Sequence, residues 1–348
     1  MNPTDWLSES WAPASWRQYL LMLSVVAIVY VLAARLGTSL SFTPAQITTV
    51  WPPSGISMAI LLKYGYRFWP GVFIGAVASY VLFSPTQPLY AGFLIATGTT
   101  LTVVTATYLL HNWSGFRQIS TTVRDCVVLI AASAISSVFS ATIGTLALAT
   151  DREILWQSFG SIWLVWWSGD VMGFLLFAPF LLVLLSPRSY QVLKGRLTEI
   201  ILLIVSVSGM SLLIFSVGSS NVQALPLPYM LFPFISWAAL RFTRLGVVIS
   251  ALLITGIAGV ATYLGRGPFA GGSEEAALVE LQVYIFILVV TGLIMAAAII
   301  ERAEAAEALQ RQAKRMESLE GELREANRRI TDILASLLKD ESNRRGPR

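Results

Sequence analysis

Trp163-Leu-Val-Trp166-Trp167-Ser-Gly169-Asp170-Val-Met-Gly173-Phe174 lies inside an otherwise apolar run from about Phe159 to Leu185. Trp163, Trp166, Trp167 and Asp170 fall at i, i+3, i+4 and i+7, so a helix carries all four on one face. The run is long enough to cross a bilayer, which takes about 20 apolar residues. It therefore puts a carboxylate near the middle of the hydrocarbon. An ionised side chain there costs roughly 2.5–3.5 kcal/mol on insertion scales, so Asp170 should face the bundle interior and be paired. Two roles fit such a residue: a protonated or hydrated cross-link between helices, or a ligand or signal site.

Composition places the rest of the chain around this stretch. Of 348 residues, 55% are hydrophobic and only 13% charged. Soluble domains average about 25% charged residues, so the chain reads as a polytopic membrane protein. Cys126 is the only cysteine and His111 the only histidine. One of each excludes a disulfide framework or a cysteine-based zinc site within one chain, and argues against a haem, other metal site or histidine phospho-relay. The N-terminus carries Asp5 and Glu9 before its first basic residue, Arg17. That is not the basic-then-apolar order of a signal peptide, so the first apolar run is a retained span.

After a tail, 1–17, whose Trp6, Trp11 and Trp16 suit the membrane interface, spans are predicted at 18–36, 46–63, 67–83, 89–111, 123–149, 158–185, 197–217, 226–241, 244–264 and 280–300. An eight-span alternative makes two short hairpins re-entrant and keeps the same parity. Lys63/Arg67, Arg117/Arg124, Arg188/Lys194/Arg196 and Arg241/Arg244 share one side with Arg17, whereas Arg35, Arg152 and Arg266 fall on the other. Cytoplasmic loops carry the Lys/Arg excess, so both termini are predicted to be cytoplasmic.

The composition changes at Glu301. Leu309, Met316, Leu323, Ile330 and Leu337 recur every seventh residue, with Gln312, Leu319, Ala326 and Ile333 three places after the first four. This a/d pattern predicts a parallel two-stranded coiled coil over 301–340 that continues the last span, and hence a homodimer, followed by a disordered tail, 341–348.

Several motifs break the apolar pattern. Thr49-Val-Trp51-Pro52-Pro53-Ser54-Gly55 interrupts the second span, because two prolines remove two backbone donors and push Trp51 out of helical geometry. A helix restarting near Ser54 offers its N-terminus to an anion or an acidic partner. Tyr66-Arg67-Phe68-Trp69-Pro70-Gly71 reads as an interfacial helix start, and Gly71, Gly75 and Ala78 permit close helix contact. Arg241 and Arg244 mark a tight cytoplasmic turn. Arg266, in Gly265-Arg-Gly-Pro-Phe269, is either an ordinary loop residue or a counter-ion roofing a cavity around Asp170. Gln282, entering the last span, is a candidate polar contact to the same cavity.

Trp51-Pro-Pro-Ser-Gly55, Arg67-Phe-Trp-Pro-Gly71, Trp166-Trp-Ser-Gly-Asp170, Trp237-Ala-Ala-Leu-Arg-Phe242 and Gly267-Pro-Phe269 together resemble the first type of membrane-associated sensor (MASE) domain, over roughly 18–300. The resemblance implies the N-terminal sensory module of a bacterial signalling protein, coupled to a histidine kinase or diguanylate cyclase. This chain carries no nucleotide-binding or cyclase segment after its coiled coil, so the output is expected either in cis in a longer protein or in trans on a partner.

The expected fold is thus an all-α membrane bundle of about ten spans followed by a cytoplasmic coiled coil. The expected function is an inner-membrane sensor without enzymatic activity or cofactor of its own. It would contact lipid, a second copy of itself and an output domain, but no nucleic acid. Its small ligand would sit among Trp51, Pro52, Pro53, Trp163, Trp166, Trp167, Asp170, Arg266 and Gln282, and aromatic rings beside a carboxylate suit an organic cation. Broken helices and a buried acid also occur in transporters and channels, the alternative class. No internal repeat supports it, and no paired acids or nucleophile–base pair supports an intramembrane enzyme.

Overall fold

A computed structural model of the chain describes residues 15–39, 48–84, 88–114, 122–151, 154–185, 195–216, 227–271 and 274–344. The described residues form nine α-helices: α1 (Trp16–Thr38), α2 (Pro52–Tyr64), α3 (Trp69–Phe83), α4 (Leu89–Ser114), α5 (Val123–Thr150), α6 (Phe159–Leu184), α7 (Leu197–Ser216), α8 (Phe232–Tyr263) and α9 (Glu274–Arg344). Most of the tail 1–17 and the last four residues lie outside the described residues.

Eight helices among the described residues are long and apolar enough to cross a membrane. Each of the ten predicted apolar segments contributes helix among the described residues, and the two counts differ for two local reasons. The 46–63 segment yields α2, which has only 13 residues and so spans about 20 Å, short of the roughly 30 Å hydrocarbon core. The 226–241 and 244–264 segments follow one another in α8 across a sharp kink at Thr243 (φ 53°, ψ −136°). The predicted tight turn at Arg241/Arg244 is this kink. Beside it, Arg241 forms a two-pronged pair with Glu199 of α7, at 2.8 and 2.9 Å, and Arg244 is buried.

Local chemistry explains the helix starts. Ser15 caps α1 by accepting from the Gln18 N–H. Thr122 and Asp125 form a reciprocal capping box on α5, with both bonds at 3.1 Å. α2 begins at Pro52 itself: Trp51 is held extended (φ −108°, ψ 91°) and Pro52-Pro53 fill the first two helical positions, where a missing N–H leaves nothing unsatisfied.

Small residues set how closely the helices pack. A Cβ on Gly71 or Gly75 of α3 would meet Val26 or Tyr30 of α1 within 3.0 Å. The α2–α6 crossing is tighter still. A Cβ on Gly55 would lie 2.1 Å from the Gly173 carbonyl oxygen, and one on Gly173 would lie 2.0 Å from the Trp51 carbonyl oxygen. The two main chains touch at this point, as small-residue crossings in membranes allow.

The chain divides into two compact units, Met1–Ile299 and Ile300–Arg348. Within the second, Leu309, Met316, Leu319, Leu323, Ile330 and Ile333 are more than half exposed, while the side chain of Leu337 lies outside the described residues. The helix runs on to Arg344, past the predicted start of a disordered tail at 341.

Candidate functional site: a buried carboxylate behind an aromatic cavity

Asp170 is 1% exposed. α6 brings it between α2 and α5, where the Ser54 hydroxyl donates to Oδ1 and the Ser140 hydroxyl to Oδ2. Inward orientation follows from the position of the residue in α6, but its partners are neutral hydroxyls rather than a cation. Pro52 and Pro53 carry no N–H, and the Ser54 N–H is directed to Trp51 O at 3.3 Å. The start of α2 therefore offers no free backbone cradle for an outside anion. Its acidic partner is Asp170, reached through the Ser54 side chain, and the positive end of the helix dipole favours that carboxylate.

Beside this pair lies a cavity of about 110 Å³. It has room for about four water-sized groups at roughly 30 Å³ each. Tyr30, Trp51, Tyr80, Phe83 and Trp166 supply its aromatic surface, and Thr48, Ser79 and Thr99 supply hydroxyls. Tyr30 is buried and its hydroxyl interacts with the Trp51 and Thr99 side chains. At the end of α3, Arg35 sits over the Phe83 ring, 5.5 Å from its centroid.

The residues predicted for the site separate into three groups. Trp51 and Trp166 line the cavity, while Pro52 and Pro53, which follow Trp51 in the chain, are buried and do not line it. Trp163 and Trp167 stack on each other, 6.2 Å between centroids and 6° between planes, and they dock α6 onto α5. Their indole N–H groups donate to Thr142 Oγ1 (3.0 Å) and Ala134 O (2.7 Å). The four-residue face is real, but only one of its three tryptophans reaches the cavity, because α5 covers the others. Arg266 is the second departure. It is exposed in the turn after α8, and among the described residues no ion pair joins it to Asp170. The Gly265 and Gly267 φ angles of 68° and 83° turn the chain there, which fits the loop reading of Arg266 and not the roof over Asp170.

Gln282 forms the third group. It is 3% exposed and its amide donates to Thr49 O and Val165 O, both at 3.1 Å, while Oε1 accepts from Ser168 Oγ at 2.7 Å. It holds the chain behind the cavity wall rather than lining the cavity.

Sequence reasoning missed Ser54, Ser140 and Tyr30 as site residues. Ser133, Ser136, Ser137 and Ser140, spaced by three and four along an apolar helix, are all buried and gave a usable signal for a polar face toward Asp170. Among the described residues no group of three His, Cys, Asp or Glu side chains is placed to hold a metal ion.

Geometrically, the site can hold a small molecule against aromatic faces and hydroxyls and can carry one buried charge. The family model described as MASE1 matches residues 21–303. No curated protein and no solved structure matches the chain.

Proposed function

The chain belongs to the MASE1 family of membrane-associated sensor domains, and from that premise we propose that it is a multi-pass receptor in which a small ligand occupies the cavity between Trp51 and Trp166. The observation that carries this reading is the cavity itself, walled by five aromatic side chains with a buried carboxylate behind one wall. An organic cation suits that environment, since each cation–π contact contributes about 0.5–2 kcal/mol. Differential affinity of the ligand for two arrangements of the bundle biases the output. Loop charge favours an inner-membrane setting with cytoplasmic termini, and the output is a kinase- or cyclase-type domain, in cis or on a partner.

The stalk reading rests on the exposed heptad stripe. With Leu309 at an a position, Arg315 falls at g and Glu320 at the next e, so the two attract across a parallel pair of helices. Leu323→Glu puts a carboxylate in that seam. The expected penalty is at least about 3 kcal/mol, roughly 100-fold in dimer dissociation. Cross-linking and mass measurement in nanodiscs read it, and an unchanged oligomeric state in this variant removes the coiled coil from the account.

Signalling is tested by fusing a kinase or cyclase reporter after residue 340. Asp170→Asn and Trp166→Ala are each expected to shift reporter output at least about three-fold while the protein still reaches the membrane in normal amounts. Wild-type output from both variants rejects the site.

A further inference from the structure

Gln282 joins the back of the cavity wall to the last span. Its amide has two N–H donors and one carbonyl acceptor: Thr49 O and Val165 O accept from the amide, and Oε1 accepts from Ser168 Oγ at 2.7 Å, whose single proton is shared with the Leu164 and Val165 carbonyls of its own helix. Thr49 lies between Thr48 and Trp51, both of which line the cavity, and Gly169, one residue after Ser168, lines it too. These two segments are also joined to each other, because Trp51 N–H donates to Gly169 O at 3.0 Å. A Cβ on Gly169 would lie 2.9 Å from Thr48 O, so there is no slack between them. Gln282 belongs to α9, the helix that runs unbroken to Arg344.

We propose that Gln282 is the positioning residue through which cavity occupancy reaches α9. A group entering between Trp51 and Trp166 moves the Thr48–Trp51 stretch relative to Gly169. The Gln282 amide is bonded to both sides of that joint, so it must follow one or break from the other. An apolar side chain of the same length would fill the space without registering the movement. The polar clamp converts a displacement inside the bundle into a displacement of the last span. This inference rests on the cavity reading above and adds the residue that transmits it.

The test needs no ligand, because occupancy can be mimicked. Ala76 lines the cavity, and Ala76→Leu places a larger side chain in it. Amide hydrogen exchange over residues 283–299 is followed in the full chain reconstituted in nanodiscs, in a double-mutant cycle with Gln282→Leu. With Gln282 present, Ala76→Leu is expected to change exchange in that segment at least about three-fold. With Gln282→Leu, the same cavity-filling change should alter it less than two-fold. Equal responses in the two backgrounds, or no response with Gln282 present, overturn the proposal. If Gln282→Leu does not fold, Ser168→Ala removes a single arm of the clamp and must at least halve the response; an undiminished response there overturns it equally. Failure of the receptor reading looks different: exchange in 283–299 responds to Ala76→Leu while the fused reporter does not.

Discussion

Gly173→Val is expected to leave little folded membrane domain to recover. A Cβ at this position meets the Trp51 carbonyl oxygen at 2.0 Å. The obstacle is main chain, so no rotamer change removes it. Relief requires α6 to move away from α2, which separates Ser54 from Asp170 and parts Trp51 N–H from Gly169 O. Ordinary overpacking costs about 1–3 kcal/mol. Here the loss of those contacts adds to it, and the total exceeds about 4 kcal/mol. Gly55→Val is expected to behave alike, its Cβ lying 2.1 Å from Gly173 O. Gly160→Val is the control, since a Cβ there meets nothing within 4 Å. Yield in membranes and the thermal midpoint in detergent distinguish the three. Normal folding of Gly173→Val would falsify the backbone-to-backbone crossing.

The second large effect comes from stripping Asp170 of its donors. Ser54→Ala with Ser140→Ala leaves a buried carboxyl with neither hydroxyl. Each unsatisfied buried partner costs about 1–3 kcal/mol, more when the group is charged, so the double variant should lose about 3 kcal/mol or more. Asp170→Asn keeps an acceptor for one serine and a donor for the other, and its loss should stay below about 1 kcal/mol. The thermal midpoint should therefore fall in the order wild type, Asp170→Asn, single serine variants, double variant. An Asp170→Asn protein as unstable as the double variant contradicts this order, because it makes the charge itself the source of stability. Combined with the reporter experiment, the Asn variant separates a residue that signals from one that merely holds helices together.

The sequence makes some of this architecture legible. Apolar length located the helices but overcounted the spans, ten against eight, and the insertion cost of a carboxylate in hydrocarbon turned Asp170 inward. Two consecutive prolines placed the break before α2. What escaped depended on neighbours far away in the chain. Trp163 and Trp166 share a helix face, yet Trp163 finds Thr142 while Trp166 borders a cavity, a difference set by where α5 crosses. Arg266 was one candidate counter-ion because a buried acid ordinarily wants one, but Ser54 and Ser140, 116 and 30 residues from Asp170 in sequence, supply the partners instead. Hydroxyls are common in spans and leave no mark in a hydropathy profile. The break at Thr243 was legible as a tight turn between Arg241 and Arg244, but not its form, since threonine is no helix breaker and its left-handed φ is disfavoured for a β-branched residue. Gln282 was legible as a polar residue in an apolar run, though its threefold engagement required two other segments to converge on it.

The contact of α2 with α6 through bare main chain limits how this bundle is able to move. Side chains at an interface can yield by turning over; two abutting peptide units cannot. Sliding of α6 past α2 is blocked at Gly55 and Gly173, whereas tilting about that point of contact is not. The pair behaves as a fulcrum, so α6 is free to change its angle to α2 but not to slide along it.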